Sequence, residues 1–325
     1  MTTAQRSTPG RETALVLGAS RGLGLLIARE LLRRGYPTVA TARDADELAR
    51  ARELVAQEGV LLTEVCDVTD YEAVEALIER VEREHGPVGV LVHVAGIIQV
   101  GPMDSLDRSH YERAIDTMLW GPINAALAVA GRMRTRGRGR IGVITSIGGK
   151  VSVPHLLPYS TAKFGAVGFT EGLSAELAGT GVTATTVVPG LMRTGSHLQA
   201  EFTGNQAAEY MWFAPGASLP GLSMDAERAA RRIVDGVLAG ESHVVLTPLA
   251  ALGMRVQGVA PSTTNAAMGL MNRLLPQADS TSSETVSGHE AKARLRRERP
   301  MVSRAVGALT VLGNRASRRH NELQR

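Results

Sequence analysis

Short apolar runs alternate with longer amphipathic segments from about residue 13 to residue 246. The short runs are rich in Val, Ile, Leu and Thr and are too short for helices, which is typical of buried β-strands. The longer segments repeat their apolar residues at helical intervals. The pattern predicts strands at 14–17, 38–41, 61–66, 88–92, 141–145, 183–188 and 243–246. It predicts helices between them, among others at 22–34, 70–85, 111–134, 159–178 and 225–239.

This alternation indicates an α/β protein. Strands that alternate with helices form a parallel sheet covered by helices on both faces. We therefore expect a doubly wound fold with a seven-stranded parallel sheet over residues 11–246. Residues 1–10 are polar and are expected to be disordered, and residues 196–224 interrupt the alternation.

The region beyond residue 246 has a different character. Residues 247–276 carry apolar residues at helical intervals and are expected to form a helical extension. That extension could enlarge a binding pocket, form a subunit interface or make peripheral contact with a membrane. Residues 277–325 are expected to be a polar linker and a basic tail, both poorly ordered, although the basic end could instead form short amphipathic helices.

The charge of the chain is uneven. Its net charge is +4, but residues 287–325 contain ten Lys and Arg against three Asp and Glu. The rest of the chain is therefore mildly acidic. Because the basic tail has no aromatic residue on which a base could stack, we expect no nucleic-acid partner.

Composition excludes several other classes of protein. Hydrophobic residues make up 44% and charged residues 21%, as in ordinary soluble proteins. The single cysteine, Cys66, excludes a disulfide framework and a cysteine-based zinc site, and we expect no metal. No secretory signal or membrane-spanning stretch is recognisable, so a cytoplasmic location is expected.

A glycine loop, residues 18–24, follows the first predicted strand and precedes a helix. Its spacing is Gly-x3-Gly-x-Gly, with glycines at Gly18, Gly22 and Gly24. Glycines in this position allow a tight turn and a close approach of the backbone to a pyrophosphate at the helix N-terminus. A purely structural turn is the alternative, but the position after the first strand favours dinucleotide binding.

A second group of residues can carry acid–base chemistry. Tyr159 and Lys163 are four residues apart at the start of a predicted helix, so their side chains share one face. Ser146 lies just beyond the fifth predicted strand. A tyrosine has an ordinary pKa of about 10, so a neighbouring cation is needed to lower it towards neutrality.

Together these motifs resemble the short-chain dehydrogenase/reductase family over residues 11–246. The resemblance implies a Rossmann-fold oxidoreductase with a homodimeric or homotetrameric assembly and a substrate lid at residues 196–224. It implies that Tyr159 is the general acid and base, that Lys163 lowers its pKa and binds the nicotinamide ribose, and that Ser146 positions the substrate oxygen. The cofactor-binding residues implied are Gly18, Ser20, Arg21, Gly22, Leu23, Gly24, Arg43, Asp67, Val68, Ala95, Gly96, Tyr159, Lys163, Pro189, Gly190 and Thr194.

The end of the second strand bears on the choice of cofactor. An acid there would favour NAD by binding the ribose 2′-hydroxyl, but this chain has Arg43. A guanidinium suits a phosphate, and Arg21 could supply a second one. We therefore expect NADP as the preferred cofactor, with NAD as the alternative if both arginines are simply solvated.

The substrate is expected to be a small apolar ketone or aldehyde, or the corresponding alcohol. Apolar and aromatic lining favours such a molecule over a sugar. Packing of the lid or a dimer contact is the other interpretation of the aromatic residues. The candidate substrate residues are His155, Leu156, Phe202, Tyr210, Trp212 and Phe213.

Two positions depart from the family pattern. Met118 stands where the family usually has an Asn that holds a proton-relay water, and a thioether is only a weak acceptor. The backbone carbonyl of residue 118 could still hold that water. His93 replaces another Asn and is expected to make a structural hydrogen bond. Two alternatives therefore stay open: an NADP(H)-binding protein with weak or no turnover, and a membrane-docked form of the enzyme.

Overall fold

The computed structural model of the chain describes residues 12–219, 223–277 and 283–322, so the stretch 1–10 lies outside the described residues. Within them, one parallel sheet has the strand order β3-β2-β1-β4-β5-β6-β7. This confirms the predicted seven-stranded doubly wound sheet. The strands are β1 Thr13–Leu17, β2 Thr38–Ala42, β3 Leu61–Val65, β4 Val88–His93, β5 Gly139–Ile144, β6 Val182–Val188 and β7 His243–Val245.

Helices cover both faces of the sheet because successive strand residues point to opposite sides. In β1, Val16 packs into the apolar layer beneath α1 and α9, whereas Leu15 packs into the layer beneath α3 and α5. The helices up to residue 239 are α1 Gly22–Arg33, α2 Ala45–Leu54, α3 Tyr71–His85, α4 Arg108–Ile115, α5 Gly121–Arg136, α6 Leu157–Glu176, α7 Ser196–Gln199, α8 Gln206–Gly216 and α9 Ala226–Ala239.

The helix predicted at 111–134 is divided in the structure. A π-helical turn, Asp116–Trp120, separates α4 from α5. Proline has no backbone N–H, so Pro122 cannot donate to the carbonyl four residues before it, which is that of Met118. The hydrogen-bond pattern changes at this point, and the N–H of Gly121 bonds instead to the carbonyl of Asp116. Periodicity alone did not reveal this interruption, because the apolar spacing continues through it.

The C-terminal segment forms helices, which is one of the two alternatives considered for the basic end of the chain. They are α12 Gly288–Glu298, α13 Pro300–Leu309 and α14 Val311–Arg319. Their apolar residues Leu295 and Val306 are buried in one cluster with Phe202 and Tyr210 of the lid region. A short strand, Val286–Ser287, pairs with Glu201–Phe202. Burial against the lid therefore orders a segment whose composition alone suggested a solvated tail.

We call residues 196–219 and 286–322 the cap, and residues 12–193 and 226–246 the body. Between them in sequence lie two further helices, α10 Pro248–Val259 and α11 Pro261–Asn272. They expose large apolar side chains, including Leu252, Val259 and Leu270. In the described part of the chain, no helix is both long and apolar enough to cross a membrane.

Candidate active site

The candidate site lies at the carboxyl ends of β1 and β4, where the strand order reverses direction. Ligands of open parallel sheets bind in the crevice at such a point. The glycine loop leaves β1 here and runs directly into α1. A Cβ atom on Gly18, whose φ is +85°, would lie 2.5 Å from the backbone nitrogen of Ala95. On Gly24 it would collide with the carbonyl oxygen of Gly18. Glycine is therefore required at both positions.

The predicted 2′-phosphate ligands lie beside the glycine loop but are not all free. Arg43 follows β2 and is exposed to solvent. The guanidinium of Arg21 forms an ion pair with Glu47 of α2, and the Ser20 hydroxyl donates to the same carboxylate at 2.8 Å. Sequence reasoning missed Glu47, since a carboxylate in the first turn of a helix is common and gives no separate signal.

Other predicted cofactor-binding residues lie in the loops that follow β3 and β4. After β3, the Asp67 carboxylate accepts from the N–H of Thr69 at 3.0 Å, and the Val68 carbonyl accepts from Asn124 at 3.1 Å. After β4, Ala95 lies against Gly18. These bonds fix the loops that flank the glycine loop.

The segment after β6 approaches the loop that follows β5 and contains Ser146. The carbonyl of Pro189 accepts from the N–H of Ile147, the residue after Ser146, at 2.8 Å. A Cβ on Gly190 would collide with the side chain of Thr247. Thr194 is buried at the end of this segment. These predicted cofactor-binding residues therefore lie beside the loop that contains Ser146.

The three predicted catalytic residues converge. Ser146 caps a short 3-10 turn by accepting from the N–H of Gly148 at 3.0 Å, and its side chain lies close enough to the Tyr159 hydroxyl to influence its pKa. Lys163 is buried, with its Nζ atom 5.9 Å from the centre of the Tyr159 ring. That amine donates to the carbonyl of Ile144, the last residue of β5, at 2.7 Å.

Two glycines that sequence reasoning missed allow this convergence. A Cβ on Gly148 would lie 3.0 Å from the Tyr159 ring, and one on Gly149 would lie 2.6 Å from the Lys163 carbonyl. The Gly-Gly pair two residues after the candidate Ser146 was the available signal. Helix α6 could not approach β5 so closely over larger residues.

Burial governs the acid–base properties of these groups. It raises the pKa of the Tyr159 hydroxyl, and the Ser146 side chain acts in the opposite direction. It lowers the pKa of the Lys163 amine to about 8, since a charged amine loses solvation there. In this structure Tyr159 is therefore protonated near neutrality, which differs from the lowered pKa expected from sequence.

The two departures from the family pattern occupy the interior beneath the site. Met118 is buried in the π-helical turn, and its sulfur would lie 3.4 Å from a Cβ on Gly96. His93 is buried at the end of β4, and burial together with the Lys163 charge lowers its pKa to about 3. Its Nε2 atom has no hydrogen-bond partner among the described residues. The expected structural bond is thus not made by that atom, and His93 stays neutral.

The lid residues divide into two groups. Phe202 and Tyr210 are fully buried in the cap and pack edge to face at 5.7 Å, so the structure favours the packing interpretation for them. Trp212 and Phe213 are partly buried in the same cluster, which reaches Tyr159. Leu156 also belongs to that cluster.

His155 takes part in a polar contact that the sequence did not suggest. Its Nδ1 atom lies 2.9 Å from a carboxylate oxygen of Glu209, which is fully buried in α8. The indole N–H of Trp212 donates to the same carboxylate at 2.6 Å. His155 itself has a left-handed backbone, with φ at +64°. Glu209 therefore joins the lid helix to the loop that precedes Tyr159.

The crevice has the chemistry that a dinucleotide requires. An acidic group already lies beside the N-terminus of α1, because the Glu322 carboxyl group accepts from the Gly195 N–H at 2.6 Å and lies against Gly22. Helix N-termini bind phosphates for the same electrostatic reason. The residues present thus fit a pyrophosphate-containing cofactor.

Comparisons with known proteins agree with this geometry. The short chain dehydrogenase family model matches residues 12–203. An acetoacetyl-CoA reductase of Paracoccus denitrificans is 38% identical over 183 residues, which are 56% of this chain and 74% of that protein.

Solved structures give the same result. A short-chain dehydrogenase from Streptomyces avermitilis superposes with a TM-score of 0.70 at 25% identity, covering 82% of this chain and 98% of that one. An actinorhodin polyketide ketoreductase variant with NADPH superposes with a TM-score of 0.64 at 32% identity, covering 76% of this chain and 99% of that one. The fold, the glycine loop and the family match together establish that this chain belongs to the short-chain dehydrogenase/reductase family of oxidoreductases.

Proposed function

We propose that this protein is an NADP-preferring reductase of apolar ketones or aldehydes, which also catalyses the reverse oxidation of the alcohol. The observation that carries the proposal is the convergence of Ser146, Tyr159 and Lys163 beside the glycine loop. When bound, the cofactor supplies the hydride that the carbonyl carbon receives. The remaining chemistry belongs to the residues of this chain.

Tyr159 acts as the general acid. Its raised pKa keeps the hydroxyl protonated near neutrality, so it holds the proton that the carbonyl oxygen needs during reduction. Ser146 lies beside Tyr159 and orients the substrate oxygen towards it. Lys163 is charged below its pKa of about 8, and this charge stabilises the phenolate that remains after proton transfer.

The backbone carbonyl of Met118 takes over the role of the missing amide. Pro122 cannot donate to this carbonyl, so the ordinary helical bond to it is not made. A carbonyl oxygen is a stronger acceptor than a thioether. We infer that it holds the relay water and that Met118 does not abolish turnover.

Apolar side chains around Tyr159 support the substrate class. Ile98, Val153 and Met211 are partly buried in the cluster that reaches the Tyr159 ring. Such lining favours an apolar molecule over a sugar. The relatives described above are named as reductases of keto compounds, which agrees with a ketone as substrate.

The test of the proposed acid is Tyr159→Phe, assayed by NADPH consumption with a panel of apolar ketones and aldehydes. General acid catalysis contributes about 10²- to 10⁴-fold, so kcat is expected to fall by that factor. The dissociation constant of NADPH should change little. Tyr71→Phe, on the exposed side of α3, is the matched control and should retain full activity.

Turnover that survives Tyr159→Phe would exclude Tyr159 as the acid. NADPH binding without turnover by the unaltered protein across the whole panel would favour the binding-protein alternative. Met118→Asn would then be the next variant, because it restores the amide.

The cofactor preference rests on Arg43 and is tested by Arg43→Ala. A hydrogen bond to a charged group contributes about 1.5–3 kcal/mol, so the NADPH dissociation constant should rise by roughly tenfold to a hundredfold. NADH binding should be unaffected. Arg50→Ala, on the exposed face of α2, is the control. An equal loss of NADPH and NADH affinity would contradict the proposed contact.

A further inference from the structure

The last described residues of the chain lie across the glycine loop. The carbonyl of His320 accepts from the backbone N–H of Gly22, the first residue of α1, at 2.8 Å. The side-chain amide of Asn321 donates to the carbonyls of Ser20 at 2.8 Å and Glu47 at 3.1 Å. Residues about 300 positions apart in sequence are therefore joined at the mouth of the cofactor crevice.

The Glu322 carboxylate lies deepest in this contact. It accepts from the N–H of Gly195 at 2.6 Å, and one of its oxygens lies 2.9 Å from the position of a Cβ on Gly22. The residue is only 4% exposed. Its backbone carbonyl accepts from the side chain of Gln199 at 2.8 Å. The carboxylate thus occupies the space between the N-terminus of α1 and the segment after β6.

Gly195 permits this close approach. A Cβ there would lie 2.5 Å from the Cβ of Ser317 and 2.8 Å from the Cβ of Glu322. Asn321 adopts a left-handed backbone, with φ at +59°, which turns the chain back into the crevice. Asparagine tolerates this conformation better than most residues. The docked segment is therefore matched to its surroundings in shape as well as in charge.

The two elements that hold this segment are those that a dinucleotide needs. The N-terminus of α1 and the residues after Thr194 would bind the pyrophosphate in the function proposed above. The N–H of Gly22 donates to the His320 carbonyl, and the N–H of Gly195 donates to the Glu322 carboxylate. A pyrophosphate would have to displace these acceptors to occupy the same space.

We propose that residues 320–322 form an intramolecular plug that competes with NADP(H), with the Glu322 carboxylate standing in for the cofactor's pyrophosphate. The plug rests on the proposed cofactor and adds a regulatory step to it. The cofactor binds only the fraction of molecules whose plug is released, so the apparent dissociation constant is the intrinsic one divided by that fraction.

The proposal is tested by measuring NADPH binding to the full-length protein by fluorescence, without substrate. Glu322→Ala removes the anion, and Asn321→Ala removes two hydrogen bonds. The assay is run at about pH 8, above the pKa of about 7 for the docked Glu322 carboxyl, so that the group is ionised. Because a bond to a charged group is stronger than a neutral one, Glu322→Ala is then expected to tighten NADPH binding by about tenfold or more. Asn321→Ala should tighten binding by a smaller factor.

Glu298→Ala is the matched control. Glu298 ends α12 in the same cap and is exposed, so its removal should leave the NADPH dissociation constant unchanged. Thermal unfolding of each variant verifies that the fold is retained. Unchanged NADPH binding in Glu322→Ala would overturn the proposal. Weaker binding would also overturn it, since the segment would then complete the site instead of blocking it.

Hydrogen exchange of the unaltered protein gives an independent measurement. If NADPH displaces the plug, the backbone amides of residues 317–322 should exchange faster when NADPH is added. Slower exchange would contradict displacement. If neither NADPH nor NADH binds to any variant, the proposed cofactor fails together with the plug. If all variants bind NADPH with the same measurable affinity, the plug proposal is contradicted while the proposed cofactor stands.

Discussion

The body and the cap differ in how their parts are joined. In the body, apolar side chains from β1, β4 and the flanking helices fill two layers on the faces of one sheet. The cap has an apolar cluster around Phe202, and buried polar contacts join the cap to residues outside it that are far away in sequence. Glu209 bonds with His155, and Glu322 bonds with Gly195.

The difference shows why the two regions respond differently to change. Apolar contacts are non-directional and tolerate substitutions of similar size. A buried carboxylate needs all of its donors, and losing one partner leaves the other groups unpaired in a medium of low dielectric. The cap is therefore expected to depend on single polar residues, whereas the body depends on its apolar pattern.

The largest expected effect on stability comes from Glu209→Ala. It leaves the buried His155 ring and the partly buried Trp212 indole N–H without their shared acceptor. Removing one partner of a buried pair costs about 3–5 kcal/mol, so the free energy of unfolding should fall by that amount. Urea denaturation measures it.

Glu201→Ala is the matched control for Glu209→Ala. Glu201 also accepts two hydrogen bonds, from Arg113, but the pair is partly exposed. Exposed ion pairs contribute about 0–1 kcal/mol. An equal loss of stability in Glu209→Ala and Glu201→Ala would contradict this distinction between the cap and the body. It would mean that the buried polar contacts of the cap stabilise the protein no more than its surface contacts do.

A smaller effect should appear in the pH dependence of the plug. Burial raises the pKa of the Glu322 carboxyl to about 7, while the Gly195 N–H and the Arg21 charge act in the opposite direction. Between the ordinary pKa of a carboxyl group and about pH 7, the docked Glu322 carboxyl is therefore protonated, whereas the released carboxyl is ionised. Docking is therefore most favourable below that window and weakens as pH rises through it.

The other charged groups near Glu322 do not reverse this direction. Arg21 forms an ion pair with Glu47. Burial lowers the pKa of His320. Burial also lowers the pKa of His197, to about 4, so His197 is neutral throughout the upper part of the window. Glu322 is consequently the group whose protonation changes as pH approaches 7.

The measurement is the dissociation constant of NADP⁺ from about pH 5 to about pH 8, in the unaltered protein and in Glu322→Gln. One pKa unit corresponds to about a tenfold change in an equilibrium, which sets the scale. Relative to Glu322→Gln, the unaltered protein should bind NADP⁺ more tightly as pH rises. A ratio that does not change with pH would show that Glu322 does not control docking.

Much of the body could be predicted from the sequence. The glycine loop, the strand pattern and the pair Tyr159 and Lys163 are local signals, and the structure brings them to one crevice. The π-helical turn at Met118 was not predicted, because its apolar spacing resembles that of an uninterrupted helix. The sequence feature that could have indicated the interruption was Pro122, whose missing N–H removes one helical hydrogen bond.

The cap could be predicted only in part. Its aromatic residues were recognised, but two interpretations stayed open until Phe202 and Tyr210 were found fully buried. The basic segment beyond residue 287 has a composition typical of a solvated tail. Its helices are ordered by Leu295 and Val306, which pack against a lid about 90 residues earlier in the chain. No local pattern encodes such a contact.

The sequence by itself determined the doubly wound fold, the glycine loop and the candidate catalytic residues, because each depends on periodicity or on spacing within one element and its neighbours. Only the tertiary structure decided that Glu209 joins the lid to His155 and that Glu322 lies on the glycine loop. Both are carboxylates of ordinary type at unremarkable positions in the sequence. Their importance comes from burial and from partners far along the chain, and folding alone creates those conditions.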